Sequence, residues 1–435
     1  MRRSWLRPIP SLTLLCFVFA ALVSAAPNRP AEWPQWRGPN RDGISKDSGL
    51  LTQWPQTGPP LAWKASGLGG GFSSLAISGG RIFTLGDREG AQRLIALSGT
   101  DGKILWTTRI GPVWEDQFAG PRSTPTVDGD RVYALGTEGD LVCVEAATGK
   151  EVWRKNMERD FGGRVMSQWK WSEPPLVDGD RLIVTPGMPS ALLVALNKKT
   201  GQEIWRTKAS GLGPKGEDGA GYSGVVISNG GGVKQYVQLT GRGLVGVRAS
   251  DGKLLWSYNQ VANDTANIST PVVKGDYVFA STGYQTGSAL LKLSKAGDGV
   301  TAQEVYFLPA KSFQNHHGGF VLIGDHIYAG HGHNRGFPIC LELATGKVVW
   351  GGEGSEVKGP GTGSAAVTAA DGHLYFRYQN GKMALIEATP QGYREKGSFD
   401  IPGVDKPSWS HPVVVDGKLY LREQDNLYVY NVRKG

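Results

Sequence analysis

Four of the chain's seven histidines fall in two short stretches. "FQNHHGGF" holds Asn315, His316 and His317, and "AGHGHNRGF" holds His331, His333 and Arg335. Neutral imidazoles bind transition metals, and three of them leave an open coordination position. His331 and His333 are two apart, so extended backbone would point both the same way. His316 and His317 would point oppositely, so only one of them joins the other pair. With Arg335 alongside, the same groups can instead hold an anionic group. A third use is structural, with the histidines and glycines bonding backbone groups and shaping a rim.

Other stretches offer complementary chemistry. "QWKWSEP" supplies Trp169, Trp171 and Glu173, "SWSHP" supplies Trp409 and His411, and "GPRSTP" supplies Arg122. "GAGYSG" adds Tyr222 and "ANIST" adds Asn267. Aromatic, cationic and carboxylate groups around one opening suit a flat polar ligand, a quinone or a sugar ring. No nucleophile comes with its own base. "GLGGGF" opens no helix and reads as a loop rather than a phosphate cradle.

These stretches lie far apart in sequence, so a repeating scaffold must bring them together. A turn-strand unit recurs as "DGKILW" ending at Trp106, "TGKEVW" at Trp153, "TGQEIW" at Trp205, "DGKLLW" at Trp256 and "TGKVVW" at Trp350. The gaps are 47, 52, 51 and then 94 residues, so a worn copy is expected midway, at "AQEVYFL" with Tyr306. Tight glycine turns give a second count: Gly79-Gly80, Asp128-Gly129, Asp178-Gly179, Asn229-Gly230, Lys274-Gly275, Gly324-Asp325, Asp371-Gly372 and Asp416-Gly417. Such pairs supply the positive φ of tight hairpins, and they mark eight units.

Each unit holds four strands, A to D; in the second they are expected near Ser123–Val127, Arg131–Leu135, Leu141–Ala146 and Glu151–Arg154. Four-stranded antiparallel units at this period are the blades of a β-propeller. The eighth unit offers strands at Ser410–Val415, Lys418–Arg422 and Leu427–Tyr430 and then the chain stops. An orphan strand at Leu61–Ser66 can complete it and hide the open edge. The fold class is therefore all-β, an eight-bladed propeller of four-stranded antiparallel blades, closed by an N-terminal strand. The recurrent Trp residues are expected to fill the wedges between blades. Cys143 and Cys340 fall on opposite sides of the ring, too far apart for a disulfide, and read as buried thiols. The D-to-A and B-to-C connections share one face, and their variable loops are where a ligand site is expected.

The domain plan is a signal peptide over residues 1–26, a leader over 27–60 and the propeller over 61–435. Arg2, Arg3 and Arg7 precede the apolar run "LTLLCFVFAALV", and "VSAAP" offers a cleavage site. Leu15 before Cys16, with apolar residues after it, argues against a lipid anchor. The chain is thus expected to be exported, periplasmic or extracellular, with no transmembrane segment once processed. Those three arginines account for part of the formal charge of +8, and no Lys/Arg-rich block occurs. Nucleic acid is an improbable partner on that pattern. The leader, with "WPQWRGPNRDG", is expected over the outside or base of the propeller.

The A-x-(T/D)-G-K-x-x-W unit resembles the repeat of pyrroloquinoline quinone (PQQ) dehydrogenase propellers. It also resembles that of the outer-membrane assembly factor BamB, which shares the fold without the cofactor. "WPQWRGPNRDGIS" resembles the start of exported PQQ-like propeller proteins. The quinoprotein alcohol dehydrogenases carry an adjacent Cys-Cys disulfide beside the quinone, and this chain has no adjacent cysteines. No C-x-x-C-H is present for an attached haem. No segment matches those enzymes' calcium ligands or catalytic Asp, so no PQQ site carries over.

The leading functional expectation is an exported PQQ-like propeller that binds or scaffolds in the cell envelope. Its partner would be an envelope protein or a small polar or sugar-like ligand. One alternative is a quinoprotein-type oxidoreductase using PQQ with calcium on an alcohol or sugar. Another is a metal-dependent enzyme centred on the blade-six histidines. The ligand-binding candidates are Arg122, Trp169, Trp171, Glu173, Tyr222, Asn267, Asn315, Arg335, Trp409 and His411. The transition-metal candidates are His316, His317, His331 and His333.

Overall fold

The computed structural model describes Met1, Trp5 and residues 32–435. Apart from Met1 and Trp5, the segment read as a signal peptide lies outside the described residues. Eight four-stranded sheets follow one another around a ring, and within each the strands pair antiparallel in A-B-C-D order. Blade two comprises Thr126–Asp128, Arg131–Leu135, Asp140–Glu145 and Glu151–Asn156. Its first strand begins later than the sequence suggests. Pro125 cannot donate to the ladder, and the Ser123 and Thr126 hydroxyls donate instead to the Glu173 and Pro175 carbonyls of the next blade.

The ring closes through strand exchange. Leu61–Ala65 pairs with Asn426–Asn431, setting Leu61 opposite Tyr430 and Ala65 opposite Leu427, and completes the eighth blade. The worn copy is present too: Gly299–Pro309 forms the fourth strand of blade five, with Tyr306 opposite Leu290. One turn departs from the pattern. In blade four Ser228 pairs with Gln235, so Asn229-Gly230 opens a wider loop containing the short 3-10 turn Gly230–Gly232.

The repeat's Trp residues join neighbouring blades. Trp106 of blade one donates its indole N–H to Ala146 O of blade two at 3.2 Å, and Trp153 of blade two donates to Lys198 O of blade three at 3.1 Å. Tyr306, at the equivalent position, donates to Leu343 O at 2.7 Å. Trp256 differs: it turns into its own blade and donates to Gln235 Oε1 at 2.6 Å. Cys143 and Cys340 are both fully buried free thiols. Among the described residues no helix is long and apolar enough to cross a membrane.

The leader does not lie over the outside; at the base Leu50 N donates to Asp371 and Asp47 accepts from Gly417 N, both in A-to-B turns. The leader runs against the inner ends of the blades around the ring's axis. Trp33 bridges to Ile77 of blade one, Pro34 O accepts from Val127 N of blade two, and Trp36 donates to Thr270 Oγ1 before blade five. Arg41 donates to Val225 O, Pro174 O and Pro175 O at 2.7–2.9 Å. Ile44 bridges to Ala369 of blade seven, and Leu50 bridges to Arg433 after blade eight. The physical reason is that strand A of each blade ends the ladder on the axial side. Its N–H and carbonyl groups there need partners, and the leader's backbone together with the Arg37 and Arg41 guanidinium groups supplies them.

Candidate functional site

On the face bearing the D-to-A and B-to-C loops, the leader and the loops enclose a cavity of about 370 Å³ around the axis. That size lies within the usual range of small-molecule sites. Its floor includes Trp36 and Arg37 from the leader, with Ser269, Thr270 and His411. Its walls are a belt of rings carried by the loops of several blades, three of them the blade-six residues His316, His317 and His333. Trp169 stacks near Tyr284 with centroids 6.5 Å apart and planes 27° apart. Tyr284 meets His333 at 4.4 Å, His333 meets His316 at 4.2 Å, and His316 meets His317 at 4.1 Å. His317 then meets Trp409 at 4.7 Å, and Trp409 meets Phe72 at 4.8 Å. Arg122 lies over Phe72 and Trp114 and donates to Trp169 O at 3.2 Å, which closes the belt.

Eight of the predicted residues line this cavity: Arg122, Trp169, Tyr222, His316, His317, His333, Trp409 and His411. The structure places the others elsewhere. Trp171 is buried among Tyr133, Leu135 and Met157 in the wedge between blades two and three. Glu173 sits behind the wall, accepting from Tyr222 N at 2.5 Å and Ser172 N at 2.9 Å. Burial raises its carboxyl to about 7. Asn267 donates to Thr240 O and Gly241 O, and Asn315 ties Ser269 to the Gly319 and Gly330 carbonyls. Arg335 is exposed.

The histidines correct the expectation drawn from spacing. Gly332 takes φ +89°, which breaks the extended run, so His331 and His333 diverge. His331 is buried against Phe313 and accepts from Gln314 N at 3.4 Å. His316 and His317 instead both face the cavity. His316 has its two nitrogens engaged, with Nδ1–H donating to Asn334 Oδ1 at 3.0 Å and Nε2 accepting from the Tyr284 hydroxyl at 3.0 Å. Among the described residues no group of three or more His, Cys, Asp or Glu is placed to hold a metal ion.

Electrostatically the cavity carries cationic side chains without acidic ones. None of its lining residues is Asp or Glu. Burial lowers Arg37 and Arg122 to about 10, and it lowers His317 and His411 to about 3, with neighbouring cationic groups adding to the effect. The histidines there are therefore neutral. Several polar atoms of the lining residues are buried without a partner: Arg37 Nη1, Thr124 Oγ1, His317 Nε2, His333 Nδ1 and His411 Nδ1. Sequence reasoning missed Trp36, Arg37, Phe72, Phe118 and Tyr284. Tyr284 was within reach, because it lies in the B-to-C loop of blade five, on the face already singled out.

A family model described as outer membrane protein assembly factor BamB matches residues 111–352, more than half of the chain. The chain belongs to this family. The BamB of Shewanella oneidensis is 23% identical over 385 residues, covering 77% of this chain and 90% of that protein. The quinohemoprotein alcohol dehydrogenase ADH IIB of Pseudomonas putida is 28% identical over 228 residues, which is 47% of this chain and 31% of that protein. Among solved structures, the quinohemoprotein alcohol dehydrogenase of Comamonas testosteroni superposes with a TM-score of 0.64 at 11% identity, over 93% of this chain and 81% of that one. That likeness is one of fold.

The fold's association with PQQ can be tested against these residues. PQQ is a flat quinone bearing carboxylates, and calcium, its companion in the resembling enzymes, takes oxygen ligands with carboxylates prominent among them. The cavity has aromatic walls for a flat ring and arginines for carboxylates. It has no acidic side chain on its lining for the calcium, and Glu173 commits both oxygens to backbone N–H groups. A calcium-bound quinone therefore does not fit the donor set.

Proposed function

We propose that this protein is a binding propeller of the cell envelope, exported by its N-terminal segment, which works by holding a ligand or partner on the face that carries the axial cavity. Membership of the BamB family supports the envelope setting and a protein partner there. The observation that carries the ligand site is the convergence of unpartnered buried polar atoms on one aromatic-walled cavity. Buried polar groups are nearly always satisfied, so several orphans around one void are groups awaiting a partner. The hydroxyl–imidazole pair on the lining, Tyr284 with His316 at 3.0 Å, is built on a phenol that burial raises to about 12, which favours binding over turnover.

The decisive experiment is metal analysis of the purified protein followed by titration with PQQ, with and without calcium. Saturable PQQ binding that requires calcium, with a shifted quinone spectrum, would replace the binding reading with the oxidoreductase one. A tightly held transition ion lost on His316→Ala or His333→Ala would instead support the metal-dependent enzyme. If neither result is obtained the binding reading stands, and envelope partners are then sought through this face.

A further inference from the structure

We infer that the axial cavity recognises a small flat organic anion, an aromatic carboxylate in chemical class, and takes it without a metal ion. This rests on the binding reading above and names its ligand.

The donor inventory leads there. Arg37 is 3% exposed and its Nη2 donates to Asp42 O at 2.9 Å and Phe320 O at 2.5 Å, while Nη1 keeps its hydrogens unshared. His333 Nε2 accepts from Asn334 Nδ2 at 3.3 Å, which puts the ring proton on the unpartnered Nδ1. Thr124, 1% exposed, has a free hydroxyl. Arg37 and His333 donate and the Thr124 hydroxyl can do so, and donors around a guanidinium match carboxylate oxygens. His411 is the exception that sets orientation. Its Nε2–H donates to His317 O at 3.3 Å, leaving Nδ1 as an acceptor for one ligand hydroxyl or N–H.

The charge argument agrees. Arg37 and Arg122 hydrogen-bond to carbonyl oxygens, and the carboxylates that act on them, Asp42 on Arg37 and Asp116 and Asp87 on Arg122, do so without an ion pair. A buried guanidinium with no counter-ion in contact is costly, and an anionic ligand supplies one. A neutral sugar would leave that cost uncompensated. A metal–ligand complex would add positive charge where none is balanced. The apolar belt, in turn, asks for a flat ring between the polar contacts.

The test uses protein expressed from its full 435-residue chain, purified, and kept in a chelator. The probes are 3-hydroxybenzoate and its uncharged amide, 3-hydroxybenzamide, followed by tryptophan fluorescence and calorimetry. Saturable binding of the acid, at least tenfold tighter than the amide and unchanged when calcium replaces the chelator, supports the inference. Arg122→Gln should then lose the preference for the acid. Because Arg122 also ties three carbonyls, the near-isosteric Thr124→Val serves as the second variant, and it should weaken the acid several-fold with an unchanged melting temperature. Amide binding equal to acid binding overturns the inference and leaves a ligand-binding face standing. Binding that appears only with calcium overturns it as well. Failure of both probes, with PQQ also silent, overturns the inference and removes the small-ligand part of the proposed function.

Discussion

Gly149 lies directly beneath the indole of Trp106: a Cβ built on it would stand 2.5 Å from Trp106 Cε3, and its φ is +73°. Gly201 stands in the same relation to Trp153, at 2.9 Å, and Gly252 to Trp205, at 2.4 Å. The glycine of one repeat thus seats the Trp of the preceding one. The motif that looks like a turn followed by a strand is, in packing terms, a lock between adjacent blades.

Gly149→Ala should therefore cost more than an ordinary turn substitution. Gly129 has a similar φ of +58° but open space around it, so Gly129→Ala pays only the backbone strain, about 1 kcal/mol. Gly149→Ala adds overpacking against Trp106, for a total of roughly 2–4 kcal/mol. Urea unfolding of both variants decides it, and equal losses would mean that the indole moves aside freely.

The leader invites a second substitution. Arg41 is 3% exposed, burial lowers it to about 9, and its guanidinium donates to three carbonyls from blades three and four. Arg41→Ala leaves those oxygens buried and unpaired, at a cost of roughly 2–4 kcal/mol. Arg41→Lys should recover only part of that, since a single ammonium cannot span three acceptors in the same plane. A loss below about 0.5 kcal/mol in chemical denaturation would show that the leader packs on the ring without supporting it.

The ring was legible in the sequence because the contact that builds it is periodic: each Trp and its glycine seat recur about fifty residues apart. The closing strand was legible because the eighth blade lacked a fourth strand of its own. The leader was not. Its decisive contacts, such as Arg37 to Phe320 O at 283 residues' separation, repeat nothing and leave no spacing to read. The face that carries the cavity was legible from loop variability, and so was the place of Arg122, Trp169 and Trp409 on its lining. The pairing of His331 with His333 failed at one residue, because Gly332 can adopt a left-handed conformation that a strand reading does not anticipate. Trp171, Glu173, Asn267 and Asn315 have chemistry suited to a ligand and spend it on the scaffold.

Acid should destabilise the protein through the cavity histidines. His411 is 7% exposed, next to Arg37, and like His317 it is held to about 3, below its ordinary value. Between that value and the usual 6.5 the unfolded chain binds protons that the folded chain does not. Stability therefore falls as pH drops from about 6.5 toward 3, by about 1.4 kcal/mol per pH unit for each such histidine. Glu173 acts in the opposite sense: its raised value makes the folded chain bind the extra proton, so stability falls as pH rises from about 4.5 to 7. His411→Gln should flatten the acid limb of a stability–pH curve, and an unchanged slope would place the acid sensitivity elsewhere.

The two thiols give a last, sharper check on the blade assignment. Cys143 and Cys340 lie in the third strands of blades two and six, fully buried, and burial pushes both thiols up to about 12. Thiolate is the reactive form, so neither should react with a disulfide reagent in the folded protein at pH 8, and both should react in denaturant. Because the two strands belong to different blades, each thiol stays single under mild oxidation, and non-reducing electrophoresis should show no change in mobility. Rapid labelling of either cysteine in the native state would mean that its strand is more open than the ring requires. A disulfide between them would contradict the eight-bladed order itself.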